Sequence, residues 1–223
     1  MFFCFCFCIV LCQNLKGDSI IEIGGTVEEE TPNTTFDYKI KRAALTFDDG
    51  PHPVYTPKLL DGLKERGVKA TFFLIGKNIV GREAIVERMS KEGHLIGNHT
   101  YDHVQLNCLS EEKACEEITK ANETIEQITK KPTEFIRPPF GAWSSKKSCP
   151  VELFSVLWNI DPLDWKVQNT DIIVQRVLSQ VKDGAVILLH DIYDTSVEAA
   201  LQIIDSLQKE GYEFVTADQF ILD

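Results

Sequence analysis

Two adjacent aspartates, Asp48 and Asp49, close the apolar run in "AALTFDDGPHP" (residues 43–53), and two imidazoles stand four residues apart in "HTYDH" (residues 99–103). Neighbouring carboxylates repel, so their pairing calls for a cation or a proton-transfer task to offset the repulsion. Histidines four apart present both rings to one side of a helix or tight turn. One carboxylate with two imidazoles is a donor set that suits zinc and leaves a fourth position open for chemistry. Neighbours along an extended chain point in opposite directions, so the two aspartates are not expected to bind an ion in the same way. One can ligate while the other acts as general base, with a hydrogen bond from Arg137 keeping that base ionised. "DDGP" alone also reads as an acidic turn; the histidine pair is what favours chemistry. The isolated His52 and His94 read as structural.

These groups need a frame that brings them together, and the chain supplies an alternation of short apolar runs with amphipathic stretches. Strands are predicted at 42–47, 69–75, 94–98, 133–137, 153–160, 185–190 and 212–216. Helices are predicted at 56–67, 82–93, 110–130, 170–181 and 196–211. Thr56 reads as an N-cap with Pro57 in the first turn and Gly67 as the stop, and Ser110 caps the longest helix. Such alternation implies βαβ units and mostly parallel strands, in a sheet that stays open or curls into a barrel. The unusual polar residues fall where the apolar runs stop: Asp48 and Asp49, His99, Arg137, Asp161, and His190 with Asp191. Carboxyl ends of parallel strands share one face, which is where sites are built.

The length of 223 residues, 43% of them hydrophobic, fits one sizeable core, placed at 37–223. The formal net charge of −11 argues against a nucleic-acid partner. The opening "MFFCFCFCIVLC" (residues 1–12) is too short to span a bilayer, which takes about 20 residues. It reads as the hydrophobic region of a secretory signal cut near Gln13, without the usual positive start, or else as an apolar arm. A secreted or cell-surface location follows from the first reading. Residues 13–36 read as a polar arm or linker. The spacing of Cys4, Cys6 and Cys8 has no matching metal ligands downstream. Cys108, Cys115 and Cys149 are odd in number, with Cys108–Cys115 a candidate pair and three inert thiols the alternative. Asn33 and Asn122 begin glycosylation sequons. No feature assigns an oligomeric state.

Five strings, "TFDDGP" (46–51), "HTYDH" (99–103), "RPPFG" (137–141), "DPLDW" (161–165) and "ILLHD" (187–191), occur in an order that resembles the polysaccharide deacetylase family. This is the fourth carbohydrate esterase family, or NodB-homology domain, and the similarity covers about residues 40–218. The resemblance implies an α/β fold, a distorted and incomplete (β/α) barrel, and metal-dependent removal of N-acetyl groups from N-acetylglucosamine polymers. By position it makes Asp48 the general base, Asp49, His99 and His103 the ligands of one divalent ion, most simply Zn2+, and His190 the general acid oriented by Asp164. Arg137 would steady Asp48, the Phe140 N–H would help bind the oxyanion, and Trp165, Leu188 and Pro139 would shape a pocket for the acetyl methyl. Trp165 and Leu188 read equally well as core. Pro162 departs from the family's small polar residue in the fourth string and leaves the backbone near Asp161 open. The leader, sequons and cysteines lean toward chitin or chito-oligosaccharides. The alternatives are peptidoglycan, acetylxylan, and a silent carbohydrate-binding protein on the same scaffold.

Overall fold

The computed structural model describes residues 40–143, 149 and 152–221. The apolar segment 1–12, the polar arm 13–36, Cys4, Cys6, Cys8 and the Asn33 sequon lie outside the described residues. In chain order the elements are β1 (Lys41–Asp48), α1 (Tyr55–Glu65), β2 (Thr71–Leu74), α2 (Gly76–Ile79), α3 (Glu83–Lys91), β3 (Leu95–Asn98), α4 (Glu111–Thr129), β4 (Phe135–Ile136), β5 (Phe154–Ser155), α5 (Asp164–Val167), α6 (Thr170–Leu178), β6 (Ala185–His190), α7 (Asp194–Lys209) and β7 (Tyr212–Phe214).

All strand pairs are parallel, in the order β5-β4-β3-β2-β1-β6, and β7 adds to the start of β1. Because side chains alternate across a strand, β1 sends its odd positions one way and its even positions the other. Ala43, Leu45 and Phe47 pack with Leu59, Leu60 and Leu63 of α1 and with Ile203, Ile204 and Leu207 of α7. Ala44 packs in a separate cluster with Phe73, Phe135 and Val156. Helices therefore cover the convex side, while Ala44, Thr46 and Asp48 face the concave interior. That is the α/β, distorted and incomplete barrel expected from the sequence.

The curl shows in one contact: beyond β5 the chain returns to β6 through a bridge between Ile160 and Ile187. The single strand predicted over 153–160 is thus broken into a two-residue pairing and this bridge. Between them the Val156 and Leu157 carbonyls accept hydrogen bonds from the Arg137 side chain, at 3.0 and 3.1 Å, in place of a neighbouring strand.

Several local expectations change. Thr56 does not cap α1: its hydroxyl donates to buried Asp191 and accepts from the His52 N–H. His52 caps instead, its Nδ1 accepting from the Val54 and Tyr55 N–H groups at 3.2 and 3.1 Å. Ser110 does cap α4, accepting from the Lys113 N–H at 3.4 Å, and the helix ends on Lys130 in the left-handed region. Cys115 pairs with Cys149, and Cys108 is an exposed free thiol, so the Cys108–Cys115 pair is corrected. Asn122 is buried on α4 and its amide is used, donating to the Thr133 carbonyl and accepting from Asn98. A sequon in that position presents no free acceptor. Among the described residues no helix is long and apolar enough to cross a membrane.

His94 is structural, as expected. Its Nδ1 accepts from the Ala70 N–H at 3.1 Å and its ring meets Phe72 edge-on. Burial first, then the charge of Lys69, lowers its pKa to about 4. In the unfolded chain the ordinary value is about 6.5, so between these limits the unfolded state binds more protons and stability falls on acidification. The neutral form is fully stabilising above about pH 6.5, and roughly 2–3 kcal/mol is lost on the way to pH 4. Urea unfolding at pH 7 and pH 4.5 checks this: the drop in unfolding free energy should shrink in His94→Gln, and an equal drop in both proteins would contradict the assignment.

Candidate metal and catalytic centre

β1 and β6 end side by side, with Asp48 and His190 as register partners. Asp48 is almost wholly buried, and its Oδ1 accepts from Arg137 Nη1 at 2.8 Å. The next residue breaks the alternation expected of an extended chain. Asp49 has φ of 72°, in the left-handed region, so its carboxylate turns back toward the same cavity as that of Asp48. Both aspartates then face one imidazole: His99 Nε2 lies 3.7 Å from Asp48 Oδ2 and 3.4 Å from Asp49 Oδ1. His103 Nε2 also lies 3.4 Å from Asp49 Oδ1.

The two histidines reach this point from a loop, not a helix. His99 follows β3, and Thr100 and His103 have φ of 62° and 58°. These two left-handed residues fold the loop so that the rings sit 5.0 Å apart. The His99 tautomer is fixed, because its Nδ1 lies 2.5 Å from the Arg137 carbonyl, which can only accept. Nδ1 therefore carries a proton, and Nε2 faces the carboxylates of Asp48 and Asp49 in the cavity.

Three properties fit this cluster to a metal ion. One donor atom from each of Asp49, His99 and His103 lies within 4.8 Å of the others. Asp49 Oδ1 is buried without a hydrogen-bond partner among the described residues, a costly state for a carboxylate oxygen unless a cation meets it. Protonation states also suit ligation. Burial alone would raise the Asp49 carboxyl, but the facing imidazoles of His99, His190 and His103 outweigh it and hold it below the usual range. Burial pushes His103 below its ordinary value, toward the neutral form that ligates.

On the other side, His190 Nδ1 pairs with Asp164 Oδ1 at 2.8 Å, and the His190 N–H donates to Asp164 Oδ2 at 2.8 Å. Ser196 Oγ donates to the same Oδ2 at 2.6 Å, so the fully buried Asp164 is satisfied on both oxygens. Burial alone would lower the His190 pKa, but the Asp164 hydrogen bond and charge, with Asp48 and Asp49 behind, raise it to about 9. At the unusual Pro162, Asp161 Oδ1 accepts from the Leu163 N–H at 2.8 Å, Leu163 itself takes the left-handed conformation with φ of 58°, and α5 opens on Asp164.

The cavity between these groups has a volume of about 380 Å³. Asp48, Asp49, His99, His103, Phe140, Trp165, Leu188 and His190 all line it, as the sequence suggested. No described residue bonds the Phe140 N–H, and its ring, 68% exposed, stands at the rim edge-on to His103. Three expected residues lie behind the walls, among them the fully buried Asp164, which acts through His190. Arg137 is fully buried and acts through Asp48, while Pro139 is buried and does not line the cavity. Trp158 and Tyr193 take the wall positions that Pro139 was expected to share. The strand predicted over 153–160 does not single out Trp158, and Tyr193 and Ser196 carry no sequence signal, being brought in by the turn from β6 into α7.

A family profile described as "Polysaccharide deacetylase" matches residues 37–150. The chain belongs to the polysaccharide deacetylase family. It is 41% identical to the peptidoglycan-N-acetylmuramic acid deacetylase PdaC of Bacillus subtilis, over 83% of this chain and 40% of PdaC. The solved structure of PdaC superposes with a TM-score of 0.79 at 41% identity, over 82% of this chain and 90% of that one. A peptidoglycan-N-acetylglucosamine deacetylase of Bacillus cereus is 36% identical, over 90% of this chain and 95% of its own length. A chitooligosaccharide deacetylase of Sinorhizobium fredii is 36% identical, over 75% and 86% respectively. The chain spans less than half the length of PdaC.

The Asp164–His190 pair gives a direct test. In metal-free protein, the His190 ring should titrate near pH 9 by NMR, and in Asp164→Asn it should titrate at least one unit lower. Equal values in the two proteins would show that Asp164 does not set the protonation of His190.

Proposed function

We propose that this chain is a metal-dependent deacetylase that hydrolyses the N-acetyl group of N-acetylglucosamine units in a β-linked glycan. The observation that carries the reading is a cavity with three duties on three sides: a carboxylate held by Arg137, an imidazole raised by Asp164, and an unpartnered carboxylate oxygen between two imidazoles. When bound there, a divalent ion, zinc by its nitrogen and oxygen donors, supplies Lewis-acid polarisation of the acetyl carbonyl.

The chain's own groups do the rest. Asp48, anchored through Oδ1, accepts the proton of the attacking water. The Phe140 N–H is available to the oxyanion. An amine leaves poorly unless protonated, and His190 stands ready with the proton that its pKa of about 9 retains at neutral pH. Positive charge bound at Asp49 opposes the imidazolium, so the upper limb of a pH–rate profile falls at or below about pH 9. Trp165 and Leu188 offer apolar surface to the acetyl methyl, and Trp158 and Tyr193 widen the aromatic wall for a sugar ring.

Chitin and peptidoglycan share the N-acetylglucosamine unit. The lean toward chitin loses one support, since the Asn122 amide is engaged inside the fold. The names of the PdaC and Bacillus cereus relatives favour a peptidoglycan strand, and that of the Sinorhizobium relative favours chito-oligosaccharides. The apolar first twelve residues support export to where either polymer lies.

Acetate release from chito-oligomers, peptidoglycan and acetylxylan, with and without chelator, tests the proposal. Release should require the amino-sugar polymers, stop with chelator and return with zinc. Asp48→Asn and His190→Ala should each lower kcat about 10²–10⁴-fold. Full turnover in either variant, or in chelator, would overturn the assignment, and zinc uptake without turnover would identify a binding protein.

A further inference from the structure

The four-residue α2 contributes nothing to the cavity wall, yet with Ile75 before it the segment touches both limbs of the Asp49–His99–His103 cluster. Those limbs need outside support. Asp49, Thr100 and His103 all sit in the left-handed region that residues with a Cβ reach only under strain.

On the aspartate limb, Asn78 Nδ2 donates to the Asp49 carbonyl at 2.8 Å and the Ile75 N–H donates to the Gly50 carbonyl at 3.2 Å. On the histidine limb, the Gly76 N–H donates to the Thr100 carbonyl at 2.9 Å and the Lys77 N–H to the Tyr101 carbonyl at 3.0 Å. Gly76 lies so close to this loop that a Cβ there would stand 2.5 Å from Tyr101 Cδ2 and 3.2 Å from Tyr101 Cα. Asn78 is itself held, its N–H donating to the Ile75 carbonyl at 2.9 Å and its carbonyl accepting from Arg82 Nη1 at 2.7 Å.

We propose that residues 75–78 form a clamp that sets the spacing between Asp49 and the two histidines, with Asn78 and Gly76 as its positioning residues. The clamp rests on the reading of this cluster as a metal site and extends it to a segment that touches no donor atom. One amide fixes the strained carbonyl beside the ligand carboxylate, two backbone N–H groups fix the loop between the ligand imidazoles, and both sets of bonds issue from a single turn. The three donors are thereby held within 4.8 Å of one another. Asn is suited to its place because its amide donates to a carbonyl, whereas an Asp of equal shape would set one acceptor against another.

The test is zinc affinity of the metal-stripped protein, measured against a chromophoric chelator, beside the melting curves of the metal-free forms. Asn78→Ala, Asn78→Asp and Gly76→Ala should weaken zinc binding about 10–100-fold, the range for loss of a bond that orients a ligand. The Lys77 side chain also donates to the Asp102 carbonyl at 3.1 Å, so the control is Val80→Ala, at the exposed end of the same turn, which removes no hydrogen bond to either limb and should bind zinc like the parent. If Asn78→Ala does not fold, Asn78→Asp and Gly76→Ala decide alone. Parental affinity in the Asn78 and Gly76 variants would overturn the clamp, as would an equal loss in Val80→Ala. A parent protein that takes up no zinc would overturn the metal reading beneath it, which is a separate result.

Discussion

The centre depends on a guanidinium that has no contact with water. Arg137 is fully buried, and a charge in that position is tolerated only when every donor is used and a countercharge is near. Its Nη1 reaches Thr46 and Asp48 on β1, its Nε and Nη2 reach the Val156 and Leu157 carbonyls past β5, and its ring neighbour is Phe73. Its own carbonyl takes the His99 Nδ1 proton. One residue therefore holds the Asp48 carboxylate, orients the His99 imidazole and supplies the hydrogen bonds that let the chain leave β5 and curl back to β6. Filling the interior with a cation instead of another apolar side chain links the closure of the barrel to the geometry of its chemistry.

The proposed base and acid, Asp48 and His190, are separated by environment more than by distance. Asp48 and His190 are partners across adjacent strands. One faces a guanidinium, the other a carboxylate satisfied by Ser196 and the His190 N–H. Placing opposite countercharges behind neighbouring groups is how one cavity can accept a proton at one wall and deliver it at the other.

Much of this was legible in the sequence. The short apolar run of β1, the helix signals and the strand-end position of Asp48, Asp49, His99, Arg137 and His190 pointed to the parallel α/β frame and the face carrying the site. What remained hidden was hidden for physical reasons. The alternation rule set Asp48 and Asp49 on opposite sides, and a left-handed residue with a Cβ, which no local pattern announces, reversed it. Thr56 matches a helix cap in composition, but a buried Asp191 135 residues away competes for its hydroxyl and wins. The Cys115–Cys149 bridge, Tyr193 and Ser196 depend on which loops meet in space, and spacing along the chain is silent on that. The clean break of 153–160 followed from Arg137 claiming two carbonyls, a tertiary demand that overrides strand propensity.

β1 is bonded to three other strands, β2, β6 and β7, and it delivers the two aspartates at its end. Exchange of its amides with solvent requires separating the most heavily braced strand in the sheet, so the protonic machinery belongs to the slowest-opening part of the molecule. The opposite wall descends from β5, two residues at a sheet edge, whose Phe154 and the nearby Leu157 stand half in water. Stiffness thus grades across the cavity, from a braced floor beneath the two aspartates to a less braced flank that opens to solvent.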